Sequence, residues 1–107
     1  MVALSDIEQL SRKIAANFDV EKIILFGSYA NGTATEQSDI DLLVVANIDM
    51  PYVERYCAVR KTIGDFPAGF DLIINSPREY EKWRRVINNI TYFADKYGKV
   101  IYERRIE

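Results

Sequence analysis

Two neighbouring segments determine how this sequence folds. The first is Leu25-Phe26-Gly27-Ser28-Tyr29-Ala30-Asn31-Gly32, and the second, after a short polar stretch, is Ser38-Asp39-Ile40-Asp41-Leu42-Leu43-Val44-Val45. An apolar run ends at Gly27, and a second apolar run opens with two aspartates one residue apart. Because side chains i and i+2 of a strand lie on one face, roughly 7 Å apart at their Cα atoms, Asp39 and Asp41 should point the same way. Two carboxylates held together repel each other, so we expect a divalent cation between them.

The composition is typical of one globular domain. The chain has 107 residues, of which 49% are apolar and 28% are charged, and this fits a single domain over residues 1–107. No apolar run approaches the roughly 20 residues of a membrane span, and the N-terminus lacks the pattern of a signal peptide. The single cysteine, Cys57, cannot form an internal disulfide, so we expect a cytoplasmic protein without a membrane partner.

The chain contains no histidine, which excludes Ser-His-Asp and Cys-His catalysis and every zinc site with a histidine ligand. A metal held by this chain must be bound by carboxylates, which favours magnesium or manganese. The net charge is -2, and a surface that is not basic as a whole disfavours nucleic acid as a partner.

Periodicity and capping residues predict the order α-β-(short α)-β-α-β-α-β. Capping boxes at Ser5-Asp6-Ile7-Glu8 and Ser76-Pro77-Arg78-Glu79 should open two of the helices. The strands are expected at about 20–26, 39–46, 70–75 and 100–102. The last helix should run from 76 to Gly98, as one long helix or two nearly coaxial ones. This order predicts an α/β (α+β) fold with one small mixed sheet of about four strands covered by helices.

A third acidic residue, Asp71, interrupts the apolar strand expected at 70–75. Burying an unpaired carboxylate costs several kcal/mol, so Asp71 needs a partner. If the second and third strands are neighbours, Asp71 faces Asp39 and Asp41, and three carboxylates suit two divalent ions about 4 Å apart.

The Gly27-Ser28 turn supplies the complementary half of such a site. Glycine lets the backbone approach a phosphate, and the first N–H groups of a helix bind anions. An anion site beside a two-metal carboxylate site predicts phosphoryl or nucleotidyl transfer from a nucleoside triphosphate.

Each element alone has a plainer interpretation, because Gly-Ser after a strand is usually a turn and Asp-x-Asp is often a cap. The segment is not an EF-hand loop, since the apolar run 42–45 occupies positions that need ligands and a glycine. It is not a P-loop either, because no Gly-Lys-Ser/Thr follows. The combination of these elements with a later strand aspartate is what indicates the site.

That combination resembles a known family. The signature of the polymerase-beta-type nucleotidyltransferase superfamily is similar to two segments of this chain. They are Gly27-Ser28 with Ala30-Asn31-Gly32, and the following Ser38-Asp39-Ile40-Asp41-Leu42. The short length resembles the minimal nucleotidyltransferase (MNT) proteins, antitoxins of HEPN/MNT toxin–antitoxin pairs. The match spans about residues 20–45, and Phe70-Asp71-Leu72 fits the strand of the third carboxylate. The resemblance implies a fold like the polymerase-beta palm.

The resemblance also implies roles for individual residues. Asp39 and Asp41 would be ligands of both magnesium ions, for which manganese could substitute. Asp71 would complete the metal site on the nucleophile side and help to activate the attacking hydroxyl. Gly27 and Ser28 would hold the triphosphate of ATP, and in-line attack on the α-phosphorus would transfer AMP and release pyrophosphate.

Larger relatives carry a helical domain that binds the acceptor, and none is recognisable here, so we expect an oligomer or a hetero-complex. The family implies a HEPN-domain toxin as the partner and one of its tyrosines as the acceptor. Tyr92 and Phe93 fall off the apolar stripe of the last helix, so they either contact this partner or cover the chain's own core.

Three other functions remain open at this point. The chain could be an antitoxin or subunit that neutralises its partner by binding alone. Nucleotidylation of a small molecule is less favoured because no acceptor domain is recognisable. Nucleic-acid polymerisation is the least favoured, given the acidic balance and the short chain.

Overall fold

The computed structural model describes residues 1–105. The helices are α1 (Leu4–Asn17), α2 (Ser28–Asn31), α3 (Tyr52–Ile63), α4 (Pro77–Trp83) and α5 (Ile90–Tyr97), and the strands are β1 (Asp19–Phe26), β2 (Ile40–Asn47), β3 (Phe70–Asn75) and β4 (Lys99–Glu103). The strands form one sheet in the order β3-β2-β1-β4, in which only the β2–β3 pair is parallel. The predicted mixed sheet of four strands covered by helices is confirmed. Within residues 1–105, none of the helices is long and apolar enough to cross a membrane.

Alternation along the strands divides the apolar residues between the two faces of the sheet. Helices α1 and α3 cover one face, where Ile23, Leu42 and Ile74 belong to the larger core. Helices α4 and α5 cover the other face, where Ile24, Leu43 and Ala94 belong to a smaller core. The second face is therefore the more thinly covered one.

The strand directions bring three chain segments to one end of the sheet. Helix α3 connects the parallel strands β2 and β3, so both strands begin at this end. Strand β1 runs the opposite way and ends there at Phe26, which is paired with Asp41. Every residue predicted for the site lies at or just outside this end of the sheet.

Helix α1 begins two residues earlier than a capping box at Ser5 requires. It starts at Leu4, its N-cap is Ala3, and no side chain caps it. The carbonyl of Ala3 instead accepts the N–H groups of Asp6 and Ile7, at 3.0 and 3.3 Å. Ser5 thus lies inside the first turn, and the predicted box is wrong. The box at Ser76 is confirmed.

The last helical segment is two helices that are not coaxial. The hydroxyl of Tyr80 in α4 donates to the carboxylate of Asp95 in α5, although a continuous helix would separate these residues by about 22 Å. The chain turns at Asn88, whose φ is 74°, and asparagine tolerates this left-handed conformation better than most residues. The side chain of Asn89 then caps α5 by accepting the Thr91 N–H at 2.9 Å.

A nearly buried ion pair joins α3 to the start of α4. The Arg55 side chain is only 9% exposed, and its guanidinium donates to Glu79 at 2.8 Å. Glu79 also accepts the backbone N–H of Ser76 at 2.7 Å, which completes the capping box. The hydrogen bond from Arg55 is the main cause that lowers the pKa of Glu79 to about 2, although burial opposes it.

The substitution Glu79→Gln should lower the free energy of unfolding by about 1–2 kcal/mol at neutral pH, because Arg55 loses a charged partner that is itself partly solvated. The pKa of Glu79 is depressed in the fold, so the wild-type advantage is complete above its ordinary value of 4.5. The advantage should disappear as the pH falls towards 2. Urea denaturation across this range measures it. Glu36→Gln, in an exposed loop, is the control, and a difference independent of pH would contradict the prediction.

Candidate active site

The parallel register places two of the predicted aspartates side by side. Asp41 of β2 is paired directly with Asp71 of β3, and the Asp71 carboxylate is close enough to raise the pKa of Asp41. Both follow a residue whose side chain lies in the larger core, so alternation turns them to the face that α4 and α5 cover. The predicted neighbourhood of the second and third strands is confirmed, and Asp71 is exposed rather than buried.

The charge of Asp41 is strongly disfavoured by its surroundings. Partial burial is the main cause that raises the pKa of Asp41 to about 6, followed by the hydrogen bond with Asp71 and by the negative charges of Asp71 and Asp39. A bound cation would remove the repulsion between the carboxylates.

Gly27 gives the carboxylate of Asp41 its space. A Cβ atom at Gly27 would lie 2.1 Å from Oδ2 of Asp41, far inside van der Waals contact. The φ of Gly27 is 71°, which side chains other than glycine rarely adopt. The sequence predicted Gly27 as a place where a phosphate approaches the backbone, and the structure adds that this glycine accommodates a candidate metal ligand.

Asp39 lies just outside β2 and leans towards the residue that precedes β3. A Cβ atom at Gly69 would lie 2.3 Å from Oδ1 of Asp39, and the Gly69 carbonyl accepts the N–H of Ile40 at 2.9 Å. Gly69 was not predicted as part of the site. Its signal in the sequence is a glycine directly before the strand that contains Asp71.

The three aspartates approach one another without forming a closed cage. Among residues 1–105, no three acidic or cysteine side chains converge as a metal-binding group. The parallel strand register nevertheless holds Asp41 and Asp71 side by side, and Asp39 is near enough to raise the pKa of Asp41. Clustered carboxylate oxygens with unrelieved negative charge suit a hard divalent cation. The pair Asp41–Asp71 therefore fits such an ion, and Asp39 would have to turn towards it.

A cavity of about 290 Å³ opens onto the carboxylate pair. Its lining is mostly apolar and comes from three strands and α5: Phe26, Asp41, Asp71, Leu72, Ile73 and Ile90. We call this cavity the carboxylate cleft. A larger cavity of about 710 Å³ lies between α1 and the loop after α3, and it contains none of the three aspartates. Apolar walls around converging polar groups are typical of a ligand site, so the carboxylate cleft is the better candidate.

The Gly27-Ser28 turn lies at the edge of the carboxylate cleft. Gly27 follows Phe26, which lines the cleft, and Ser28 is the first residue of α2. The predicted short helix between the first two strands is confirmed, and Gly32 is its C-cap with a φ of 81°. The sequence did not indicate Phe26 or Ile90 as lining residues, because their place depends on how β1 and α5 pack.

Comparisons with known proteins point to one family. The family described as "Nucleotidyltransferase domain" matches residues 7–105. A protein of Methanocaldococcus jannaschii, provisionally named a protein adenylyltransferase, is 41% identical over 63 residues, which are 59% of this chain and 61% of that protein. A second one of the same organism and provisional name is 36% identical over 91 residues, 80% of this chain and 60% of that protein. The chain spans about three-fifths of the length of these relatives.

Solved structures share the fold. A protein of Sulfolobus solfataricus, provisionally described as a nucleotidyltransferase, has a TM-score of 0.64 and 25% identity, covering 92% of this chain and 78% of that one. A toxin–antitoxin complex with AMP-PNP has a TM-score of 0.60, 24% identity and coverages of 92% and 74%. A complex of the tri-AMPylated Shewanella oneidensis HEPN toxin with its MNT antitoxin has a TM-score of 0.50, 22% identity and coverages of 94% and 69%. The predicted nucleotidyltransferase fold is confirmed.

Gly27→Ala and Gly32→Ala form a matched pair of substitutions, because both glycines have a positive φ. Gly32→Ala, in the left-handed helical region, should lose about 1 kcal/mol of stability. Gly27→Ala should lose more, because its φ of 71° and ψ of -152° lie in a region essentially confined to glycine. Only the methyl group at position 27 meets Asp41, so only Gly27→Ala should weaken Mn²⁺ binding, by about 10-fold or more. Electron paramagnetic resonance of Mn²⁺ measures the affinity, and equal affinities in the two variants would refute the steric role of Gly27.

Asp41→Asn should stabilise the fold at neutral pH in the absence of divalent cations. The pKa of Asp41 lies at about 6, above its ordinary value of 3.8, so its ionisation opposes folding. With a discount for solvent screening, the free energy of unfolding should rise by about 1 kcal/mol above pH 6, and this gain should vanish below pH 4. Thermal unfolding at several pH values measures this gain. Added Mg²⁺ should stabilise the wild type more than the variant, and a loss of stability in Asp41→Asn above pH 6 would contradict the prediction.

Proposed function

Since the chain belongs to the nucleotidyltransferase domain family, we propose that it transfers AMP from ATP to a hydroxyl group of a partner protein. The observation that supports this most directly is the carboxylate pair of Asp41 and Asp71 at the mouth of an otherwise apolar cleft. Relatives provisionally named protein adenylyltransferases support the reaction type. A neighbouring structure that contains AMP-PNP supports ATP as the nucleotide.

We propose Asp39, Asp41 and Asp71 as the ligands of two Mg²⁺ ions, with Mn²⁺ as a substitute. When bound, such ions would neutralise triphosphate charge and favour ionisation of the attacking hydroxyl. The pairing of Asp41 with Asp71 and the raised pKa of Asp41 support these two ligands, whereas Asp39 would have to turn towards them to complete the set. Gly69 leaves room for Asp39, as Gly27 does for Asp41.

Gly27 and Ser28 are the proposed contacts to the triphosphate. Gly27 has no side chain between its backbone and Asp41, so a phosphate bound near the carboxylates can approach this backbone closely. The Ser28 hydroxyl follows directly and can donate to a phosphate oxygen. We therefore propose that both residues donate to the triphosphate from the edge of the carboxylate cleft.

The proposed reaction is an in-line displacement. The acceptor oxygen forms a bond to the α-phosphorus, and the bond from this phosphorus to the oxygen that bridges to the β-phosphorus breaks. Pyrophosphate leaves with the electron pair of that bond. The acceptor proton passes to the carboxylate of Asp71, which is exposed at the mouth of the cleft. The apolar walls of the cleft exclude water, which would otherwise compete with the acceptor.

The proposed acceptor is a tyrosine of a HEPN-domain toxin, which the chain would silence as its antitoxin within a hetero-complex. The support is the neighbouring structure of a tri-AMPylated HEPN toxin with an MNT antitoxin. Neutralisation by binding alone is the competing function. The two differ in whether loss of the carboxylates abolishes protection against the toxin.

Single substitutions of Asp39, Asp41 and Asp71 by asparagine should each reduce AMP transfer by at least about 100-fold, because each removes a charge that holds metal and phosphate. The measurement is transfer of labelled AMP from ATP, with Mg²⁺, to a HEPN-domain protein encoded in the same genome. Asp49→Asn, at the opposite end of β2 and exposed, is the matched control.

Circular dichroism should show that all four variants are folded. If the double variant Asp39→Asn/Asp41→Asn still transferred labelled AMP to the HEPN-domain protein, the assignment of these residues would be refuted. If variants that transfer no AMP protected cells from the toxin as well as the wild type does, neutralisation by binding alone would be favoured.

A further inference from the structure

Exposed apolar side chains are concentrated in one part of the described chain. Of the twelve large apolar residues that are exposed among residues 1–105, seven lie between Trp83 and Val100. Three of them, Ile90, Phe93 and Tyr97, are on α5, with exposed fractions of 49%, 44% and 67%. Their spacing of three and four residues puts them on one side of the helix. We call Ile90, Phe93 and Tyr97 the α5 face.

The α5 face lies beside the side of α5 that packs on the sheet. Thr91 and Ala94 on that packed side are buried, whereas the three residues of the α5 face are exposed. The rings of Phe93 and Tyr97 are stacked, with centroids 6.1 Å apart. Aromatic side chains that are exposed next to one another are typical of a protein–protein contact rather than of a surface that stays in water.

The α5 face is continuous with the carboxylate cleft. Ile90, at the start of the face, also lines the cleft beside Asp41 and Asp71. A protein that lies on Phe93 and Tyr97 can therefore place one of its side chains in the cleft without leaving the apolar surface. Few other arrangements would give an acceptor side chain both an apolar support and access to the carboxylates.

Several contacts hold α5 in place. The buried side chain of Asn75, at the end of β3, donates to the Thr91 hydroxyl at 2.9 Å. At the other end of the helix, a Cβ atom at Gly98 would lie 2.5 Å from Cγ2 of Ile24, so α5 approaches β1 closely there. The α5 face is thus preformed, which lowers the entropic cost of binding.

Charge defines what kind of partner would fit. Residues 81–105 contain seven lysines or arginines and three acidic residues, whereas the whole chain has a net charge of -2. Arg84 and Arg85 are paired with Glu81, and Arg104 is paired with Asp19, but Lys96 and Lys99 near the end of α5 are exposed. Lys96 lies within this segment, between the rings of Tyr92 and Tyr97 at 5.5 Å from each centroid. A complementary partner has apolar or aromatic side chains at its centre and acidic side chains around them.

We propose that the α5 face docks the acceptor protein of the transfer reaction, through a surface that is apolar at its centre and acidic at its rim. This proposal rests on the proposed function, because it assigns a surface to the same reaction. The docked surface presents the acceptor hydroxyl to the carboxylate cleft past Ile90.

The test compares two double variants with matched exposure. Phe93→Ser/Tyr97→Ser alters the α5 face, and Tyr52→Ser/Val53→Ser alters α3, where the exposed fractions are 48% and 70%. Isothermal titration with the HEPN-domain protein encoded in the same genome gives the acceptor affinity, and titration with ATP and Mg²⁺ gives the nucleotide affinity. The α5 variant should bind the acceptor at least about 10-fold more weakly and ATP within about twofold of wild type. The α3 variant should match wild type in both, and high salt should weaken wild-type binding of the acceptor.

Unchanged acceptor affinity in the α5 variant, or an equal loss in the α3 variant, would overturn the docking proposal. It would also be overturned if the wild-type chain formed dimers that the α5 variant did not, since the face would then join two copies. The single variant Tyr97→Ser gives the same comparison if the double variant does not fold. A wild-type chain that binds the acceptor through this face but transfers no AMP would refute the proposed function and leave the docking surface standing.

Discussion

The fold holds Asp41 and Asp71 side by side although their charges repel. The parallel pairing of β2 with β3 fixes their register, from Ile40 opposite Phe70 to Val45 opposite Asn75. Leu42 and Ile74 in these strands are fully buried, and each such side chain contributes about 1.5–3 kcal/mol. The cost of ionising Asp41, which is due first to burial and then to the neighbouring carboxylates, is about 1 kcal/mol after screening and is small against several such side chains. The apolar strands can therefore hold a charge arrangement that is unfavourable by itself, and this arrangement is what makes the end of the sheet chemically useful.

Local signals in the sequence were sufficient where local interactions decide the structure. The strand at 70–75 and the Ser76 capping box follow from alternation and from cap chemistry, and both are found as predicted. The last helical segment shows where local signals fail. A helical apolar stripe passes through the turn at Asn88, but Ile87 and Tyr97 are 68% and 67% exposed. The bonds from Tyr80 to Asp95 and from Asn75 to Thr91 determine this arrangement, and neither can be predicted from periodicity.

The candidate site also contains some features that local sequence signals predict and others that they do not. The pairing of Asp41 with Asp71 could be predicted from two strands that each contain an early aspartate. The steric roles of Gly27 and Gly69 could not, because they depend on which carboxylate approaches which backbone. Ile90 enters the carboxylate cleft only because α5 folds back over the sheet. Features along one strand were thus accessible from the sequence, whereas features that join separate elements needed the three-dimensional structure.

The strand order leaves β3 at an edge of the sheet. Four of its six residues are apolar, and Asp71 is the strand's only charged residue. An exposed edge with this composition is a template on which another chain can add a strand, which is the first step of aggregation. An ionised side chain in such a strand acts as a gatekeeper against this pairing. Asp71 therefore protects the chain's solubility as well as standing beside Asp41, and losing its charge would expose the edge of the sheet to intermolecular strand exchange.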